Sequence, residues 1–376
     1  MSDSLLQWAT LALSPGVGPQ RFLQLIQRFG SAAAALAARP AQLEGILERD
    51  IAEQLGGELA QQAATAALAW AEADNCQLVT LLDNDYPTQL AEAGAPPALL
   101  FARGRRELLA APMIAIVGSR NSTPQGDDNA RSFARNLAAN GYSIVSGLAE
   151  GIDAAAHQGA LEQPAGTVAV IGTGIDRIYP ARNRELAHQI ASQGLILSEF
   201  PLGTPPAAQN FPRRNRIIAG LARGCLVVEA TPQSGSLITA RLALEAGREV
   251  MAIPGSIHNP QARGCHKLIK DGARLVETVD DVLDEVGRIA AGRHPSAKTR
   301  RAGASAESRQ EQGAAQPPLL AAMGFDPVDA DTLAGRLGLT PGEVYAMLLE
   351  LEIQGLVDSM PGGRYQRRAG VGDAAR

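Results

Sequence analysis

From Met113 the chain alternates short apolar runs with longer stretches of mixed polarity. The runs predict strands over 113–117, 143–146, 167–171, 194–199, 225–230 and 249–253, with a last one near 274–277; the stretches between predict helices over 127–140, 153–161, 183–193, 212–222, 236–247 and 264–271. Strands alternating with helices of this length form βαβ units with right-handed crossovers, and so a parallel sheet. The middle of the chain is therefore expected to be α/β, an extended Rossmann-like, doubly wound parallel sheet.

Both ends depart from that rhythm. Leu5 to Ala38 reads as helix interrupted at Ser14-Pro15-Gly16-Val17-Gly18-Pro19, and alanine-rich helix continues to about Asn75. Two helices joined by such a turn resemble a helix-hairpin-helix, whose backbone N–H groups can face a phosphate. A small all-α, SAM-like domain with a tight turn fits equally well. Gln77 to Leu82 and Ala98 to Ala102 read as two further strands, with a turn at Arg103-Gly104-Arg105-Arg106. Residues 288–317 are rich in Ala, Gly, Ser, Arg and Gln and almost lack large apolar side chains, so a flexible linker is expected there. Beyond it the order helix, helix, helix, hairpin is that of a winged helix, with Thr340-Pro341-Gly342-Glu343 as a capping box. The expected units are thus 1–75, 76–287, 288–317 and 318–376.

Composition narrows the function. Cys76, Cys225 and Cys265 stand far apart without metal-ligand spacing, so neither disulfides nor a metal site is expected, and a reducing, cytoplasmic setting is. The N-terminus lacks a basic flank before an apolar core, and no apolar run approaches the roughly 20 residues that cross a bilayer, so no membrane association is expected. The net charge of −5 is an average, whereas nucleic acids read local patches. Residues 1–75 carry 4 basic and 8 acidic side chains, 76–287 carry 19 and 21, and 319–376 carry 5 and 8. Any nucleic-acid site in these parts must be a focused patch.

The densest chemistry lies between Asn210 and Ala240. Pro212 favours the first turn of a helix, which places Arg213, Arg214 and Arg216 near its start, and Ser234-Gly235-Ser236 opens the next helix. Free N–H groups at such an opening, beside small residues, cradle phosphates. Ligands of open parallel sheets bind outside the carboxyl ends of the strands, where Gly118-Ser119-Arg120, Ser146-Gly147, Gly172-Thr173-Gly174 and Glu199 also fall. A polyanion site is expected; the blander reading pairs the arginines with surface carboxylates and leaves Ser-Gly-Ser as a cap. A nicotinamide enzyme is disfavoured because the first turn reads GSRNSTPQG rather than GxGxxG, and P-loop hydrolysis because GxxxxGK[ST] is missing. Asp153 and His157, four apart on one helix face, could be an acid/base pair or metal ligands. The preferred reading has Asp153 capping the helix and His157 filling a polar niche, since no third ligand or nucleophile accompanies them. Glu199 is read as orienting an arginine. The rival class is a Rossmann-type nucleotide-binding or nucleotide-hydrolysing enzyme using Glu199 or the Asp153/His157 pair.

Several strings become specific together: IAIVGSR at 114–120, VSGLAEGIDAAAH at 145–157, GTGIDRIYPARN at 172–183, LSEFP at 197–201, FPRRNRIIAGL at 211–221, SGSLITA at 234–240 and GCHKLIKDGA at 264–273. Over about residues 76–280 the chain resembles the DprA/Smf family of DNA-processing proteins. The resemblance implies a single-stranded DNA-binding protein without catalysis or cofactor, which protects DNA entering in natural transformation and loads RecA recombinase onto it. It further implies that Arg120 grips a phosphate, that Arg213, Arg214 and Arg216 line a cationic pocket, and that Phe211 stacks on a base. The DNA-binding set expected on these grounds is Arg120, Ser146, Gly147, Phe211, Arg213, Arg214, Arg216, Ser234, Gly235, Ser236 and Thr239. The resemblance also implies a homodimer, with His266, Ile269 and Leu275 on its face. Ala208 departs from relatives that place a basic residue near this point. The helix expected at Thr340 to Gln354 carries Glu343, Glu350 and Glu352 and no Lys or Arg, which suits a protein contact better than a duplex groove.

Overall fold

The computed structural model describes residues 2–289, 318–360 and 362–368. The segment expected as a linker lies, from residue 290 on, outside the described residues.

The N-terminal unit is helical: α1 (Ser2–Ala12), α2 (Pro19–Phe29), α3 (Ala32–Leu36), α4 (Pro40–Leu43), α5 (Arg49–Glu53) and α6 (Glu58–Ala71). The expected hairpin separates α1 from α2, and their buried faces meet through Trp8, Leu11, Phe22 and Leu25. Local signals break the continuous helix predicted up to Asn75: Gly30 ends α2 in the left-handed region, and the Ser31 hydroxyl caps α3 by accepting from the Ala34 N–H. The Trp8 indole N–H donates to the Ala98 carbonyl at 2.8 Å and ties the unit to the central part of the chain.

The central strands are β1 (Cys76–Thr80), β2 (Leu99–Gly104), β3 (Met113–Val117), β4 (Ser143–Ser146), β5 (Thr167–Val170), β6 (Leu195–Ser198), β7 (Gly224–Val227), β8 (Glu249–Ala252) and β9 (Arg274–Leu275). The helices between them are α7 (Thr88–Ala91), α8 (Pro124–Ala139), α9 (Ile152–Leu161), α10 (Arg184–Gln193), α11 (Asn210–Leu221), α12 (Ser236–Glu245) and α13 (Arg263–Lys270), followed by α14 (Val279–Val286). The strand order is β1-β2-β6-β5-β4-β3-β7-β8-β9. β3 to β9 pair in parallel, as the alternation required, but the sheet is mixed: β2 runs antiparallel to both β1 and β6. A short antiparallel pair thus covers the β6 edge, where no helix crossover intervenes. The sheet is buried on both faces. Met113, Ala115 and Val117 of β3 enter one core, and Ile114 and Ile116 enter the other. Helix α14 was not anticipated; a Thr278–Asp281 capping box starts it, and it buries Val282 and Leu283.

The C-terminal unit comprises α15 (Pro318–Met323), β10 (Val328–Asp329), α16 (Ala330–Leu337), α17 (Pro341–Ile353), β11 (Val357–Met360) and β12 (Arg364–Arg367). Its three helices and the β11–β12 pair give the expected winged-helix order, with β10 added against β12. The expected capping box at Thr340 and Glu343 forms.

Helices α8 and α9 touch where Gly159 lies against the α8 backbone. A Cβ at Gly159 would stand 2.1 Å from the Arg131 carbonyl oxygen, which cannot rotate away. Gly159→Ala is therefore expected to lower stability by about 3 kcal/mol in chemical denaturation. Gly335→Ala, whose added methyl meets nothing within 4 Å, should be neutral or stabilising. Equal effects of the two substitutions would refute the tight α8–α9 contact.

Candidate nucleic-acid interface

Strand order reverses between β3 and β7: the chain winds outward from β3 to β6, then restarts beside β3 at β7. A crevice must open at their carboxyl ends, because the connections leave in opposite directions. A cavity of about 490 Å³ occupies that place. Its walls are the β3 exit (Gly118, Ser119, Arg120, Asn121), the start of α11 (Phe211, Pro212, Arg214, Asn215) and the start of α12 (Ser234, Gly235, Ser236, Thr239).

Arg214 is the central group. Its side chain is buried, with the residue 4% exposed, and Nη1 donates to the Val170 carbonyl at 2.6 Å while Nε has no partner among the described residues. Room for it exists only because residue 147 is glycine: a Cβ there would stand 1.8 Å from Arg214 Nη1. Burial pulls the guanidinium down to about 10, with the nearby Asp153 opposing, so it stays charged at neutral pH. Asp153 lines the cavity, and its Oδ2 accepts the Gly147 N–H at 3.1 Å and the Ala149 N–H at 3.4 Å. Burial pushes its carboxyl up and Arg214 pulls it back. Asp153 therefore braces the β4–α9 loop rather than capping α9, whose N-cap is Gly151.

Phe211 forms the aromatic wall. The glycine at 172 lets its ring lie close, since a Cβ there would come within 3.0 Å of it. Arg120 sits over the ring at 5.2 Å from the centroid, and Tyr179 lies beside it at 5.9 Å between centroids. On the far wall the Ser234 and Ser236 hydroxyls share a hydrogen bond of 2.7 Å at the head of α12, and a Cβ at Gly235 would meet nothing within 4 Å.

The structure thus joins Arg120, Phe211, Arg214, Ser234, Gly235, Ser236 and Thr239 in one cavity. It separates others expected there. Arg213 and Arg216 do not line it: on a helix they share a face at i and i+3, and Arg214 points elsewhere at about 100° per residue. Arg213 is exposed and stacks over Phe200 at 5.4 Å. Arg216 pairs with Glu199 and donates to the Ala95 carbonyl. Glu199 therefore orients an arginine, as expected. Ser146 is fully buried, and its hydroxyl donates to the Ile116 carbonyl at 2.6 Å, so it ties β4 to β3 without reaching the cavity. Gly147 acts from behind, as space for Arg214. Asn215, Ile218, Thr231 and Gln261 were missed, although Phe211, Asn215 and Ile218 recur at i, i+4 and i+7 and so mark one face of α11. Ala208 lies on the rim. His266 and Ile269 on α13, and Leu275 on the edge strand β9, stand at the far end of the sheet.

His157 is outside the cavity, fully buried, with Nδ1 2.7 Å from Thr167 Oγ1. That hydroxyl donates to the Ile144 carbonyl, so Nδ1 carries the proton and donates to it. Desolvation drives the imidazole down to about 3 from an ordinary 6.5. The depressed value means that the unfolded chain binds the proton first. Stability from neutral His157 is present above pH 6.5 and is lost as pH falls below it. Between pH 7 and pH 5 the loss attributable to His157 is about 2 kcal/mol. Comparing pH-dependent denaturation of wild type with His157→Asn isolates it; equal pH slopes would contradict the buried neutral ring.

The fold and cavity define a Rossmann-like protein with a partly satisfied buried cation at its switch point, flanked by a helical-hairpin unit and a winged helix. The chain belongs to the DNA recombination-mediator protein A family, the DprA/Smf proteins. That family's profile matches residues 77–287, a DprA-like N-terminal HHH domain profile matches 2–52, and a DprA winged helix domain profile matches 303–363. The winged-helix match opens inside the stretch read as linker. Protein Smf of Synechocystis is 38% identical over 96% of this chain and 98% of its own length. DNA processing protein DprA of Streptococcus pneumoniae is 49% identical over 55% of this chain and 73% of its own. The crystal structure of the pneumococcal protein covers 74% of this chain and 97% of that one, with a TM-score of 0.65 and 40% identity. A structure of DNA processing protein A from Helicobacter pylori, described for its single-stranded DNA binding mode, covers 55% of this chain and 94% of that one, with a TM-score of 0.51 and 31% identity.

Proposed function

We propose that this chain is a non-catalytic single-stranded DNA-binding protein, which protects incoming DNA and loads RecA recombinase onto it in natural transformation and homologous recombination. The observation that carries the strand-binding reading is Arg214, a buried cation with an unpartnered Nε at the wall of a cavity that also presents an aromatic face and a helix start. A phosphate there adds an acceptor beside the guanidinium, Arg120 adds a second cation, and Phe211 offers a stacking surface that tolerates any base. The Helicobacter relative's reported binding mode supports the same ligand. RecA loading rests on family resemblance and the cytoplasmic setting on the cysteine usage; no helix among the described residues is long and apolar enough to cross a membrane.

The enzyme reading loses support from geometry. Glu199 is committed to Arg216, His157 is sealed from the cavity, and Asp153 holds backbone N–H groups. On the winged helix, Tyr345, Leu349 and Ile353 of α17 are exposed between acidic residues, a face for protein rather than for duplex phosphate. Dimerisation is proposed through α13 and β9, where Leu275 is 42% exposed on the open edge of the sheet.

Titration of dT oligonucleotides by fluorescence anisotropy should show affinity rising with length, falling steeply with salt and exceeding that for AMP or duplex. Arg214→Met replaces the buried charge at similar volume and should weaken binding by about 2–4 kcal/mol, whereas Arg216→Met leaves it nearly unchanged. Tight AMP binding without length dependence would favour the enzyme instead. Leu275→Arg should shift sedimentation from dimer to monomer; an unaltered dimer would place the interface elsewhere.

A further inference from the structure

Arg120 is the cation of the switch-point cavity with the least to hold it. Its side chain is exposed and makes no hydrogen bond or ion pair among the described residues; the Phe211 ring, 5.2 Å away, is the contact that lies against it. The charge on Arg120 also disfavours the charge on Arg214, so repulsion between the two guanidiniums tends to drive the exposed one away. Where Arg120 stands is therefore decided by its main chain.

That main chain is the loop between β3 and α8, and a single residue from another strand grips it on both sides of Arg120. Glu229 lies just beyond the end of β7. Its carbonyl accepts the Ser119 N–H at 2.7 Å, one residue before Arg120. Its carboxylate takes the other end of the loop: Oε2 accepts the Thr123 N–H at 2.9 Å, and Oε1 accepts the Thr123 hydroxyl at 2.7 Å. Thr123 is in turn the N-cap of α8, its oxygen accepting the Gly126 N–H at 3.0 Å.

Glu229 is itself closely held. The residue is 7% exposed, and a Cβ at Gly126 would stand 2.5 Å from its carboxyl carbon. Burial pushes the carboxyl up, and the bonds from Thr123 and Asn259 pull it back. Packing alone would be served by an uncharged side chain, since an interior carboxylate is unfavourable unless its hydrogen bonds compensate. The third bond reaches a different part of the wall. Asn259 Nδ2 donates to Oε1 at 3.3 Å while Asn259 Oδ1 accepts the Gln261 N–H at 2.9 Å, and Gln261 lines the cavity.

Resting on the strand-binding reading above, we infer that Glu229 is a positioning residue for the strand: by fixing the Ser119–Thr123 loop it keeps Arg120 at the cavity wall, against the repulsion of Arg214, where a phosphate meets it. Glu229 does not line the cavity and acts through Arg120. The sign of its effect separates this role from simple electrostatics. A negative charge near a polyanion site opposes binding, so neutralising it should strengthen the complex if charge were all that mattered. A positioning role requires the reverse.

The test is a double-mutant cycle on full-length protein, read as fluorescence anisotropy of a dT tract across a salt series. Arg120→Ala should weaken binding about tenfold and lower the slope of log K against log salt by about 0.7, the share of one phosphate contact. Glu229→Gln puts an amino donor where Oε1 accepted, and should move both quantities toward those of Arg120→Ala. In the Arg120→Ala background the same change should cost less than about twofold more, because a misplaced arginine and a missing one are the same defect. Thr123→Val breaks the hydroxyl bond from the loop side and should weaken binding, while Thr123→Ser restores it. This pair decides the matter if thermal denaturation shows Glu229→Gln unfolded. Unchanged or tighter binding by Glu229→Gln, or by Thr123→Val, beside a weakened Arg120→Ala would overturn the inference, as would losses that add in the double variant. Failure of wild type to bind the tract, or an Arg120→Ala protein with unchanged affinity and slope, would instead sink the strand site itself, and this role with it.

Discussion

One buried cation organises the centre of this protein. Arg214 sits in the interior beneath the switch point, and an uncompensated charge in that position is strongly unfavourable. Its surroundings reduce that penalty in three ways: the Val170 carbonyl accepts from Nη1, Asp153 supplies a negative field, and Gly147 yields the volume a side chain would occupy. The compensation is incomplete, since Nε remains without a partner among the described residues. That residual demand makes the cavity receptive to an anion and gives the site its chemical sign in a chain whose net charge is negative.

The remaining parts of the site depend on how the chain leaves the sheet. Loops after β3 and β7 diverge, so a crevice exists whatever side chains line it. Glycines then set how closely each element comes. A Cβ at Gly118 would stand 2.5 Å from Ile152, and one at Gly172 would press on Phe211. The half-buried aromatic, the buried cation and the opening of α12 are brought together by tight backbone packing. The same economy of space governs α8 and α9, which meet over Gly159.

Helix α11 divides its arginines between two surfaces. Arg214 faces the switch-point cavity, whereas Arg213 and Arg216 face the N-terminal unit, one stacked on Phe200 and the other paired with Glu199. The helix therefore serves as the partition between two clefts: Phe211 and Pro212 at its start line the first, and Arg213 lines the second, beside the α1–α2 hairpin. The Trp8 indole bonded to Ala98 holds the hairpin unit against this side of the sheet. Membership of the DprA/Smf family accounts for the arrangement as a whole; the division of labour along α11 is visible only in the geometry.

The sequence by itself determined the central β–α alternation, the helical start and the winged-helix order at the end, because each is written in short-range periodicity and in local caps such as Thr340 with Glu343. It also placed Arg120, Phe211, Ser234 and Ser236 at strand ends and helix starts, where ligands bind. Tertiary structure alone decided which groups face one another. Adjacent arginines on a helix diverge by about 100°, so Arg214 parts in space from Arg213 and Arg216, which stay together near Glu199. Ser146 turned inward to Ile116, and Asp153 braced a loop instead of capping its helix, through contacts between separate segments of the chain. The antiparallel β1–β2 edge likewise depends on pairing with β6, nearly a hundred residues away from β2, which no local pattern encodes. Periodicity reports on neighbours a few residues apart; burial, charge pairing and cavity shape are properties of segments that meet only after folding.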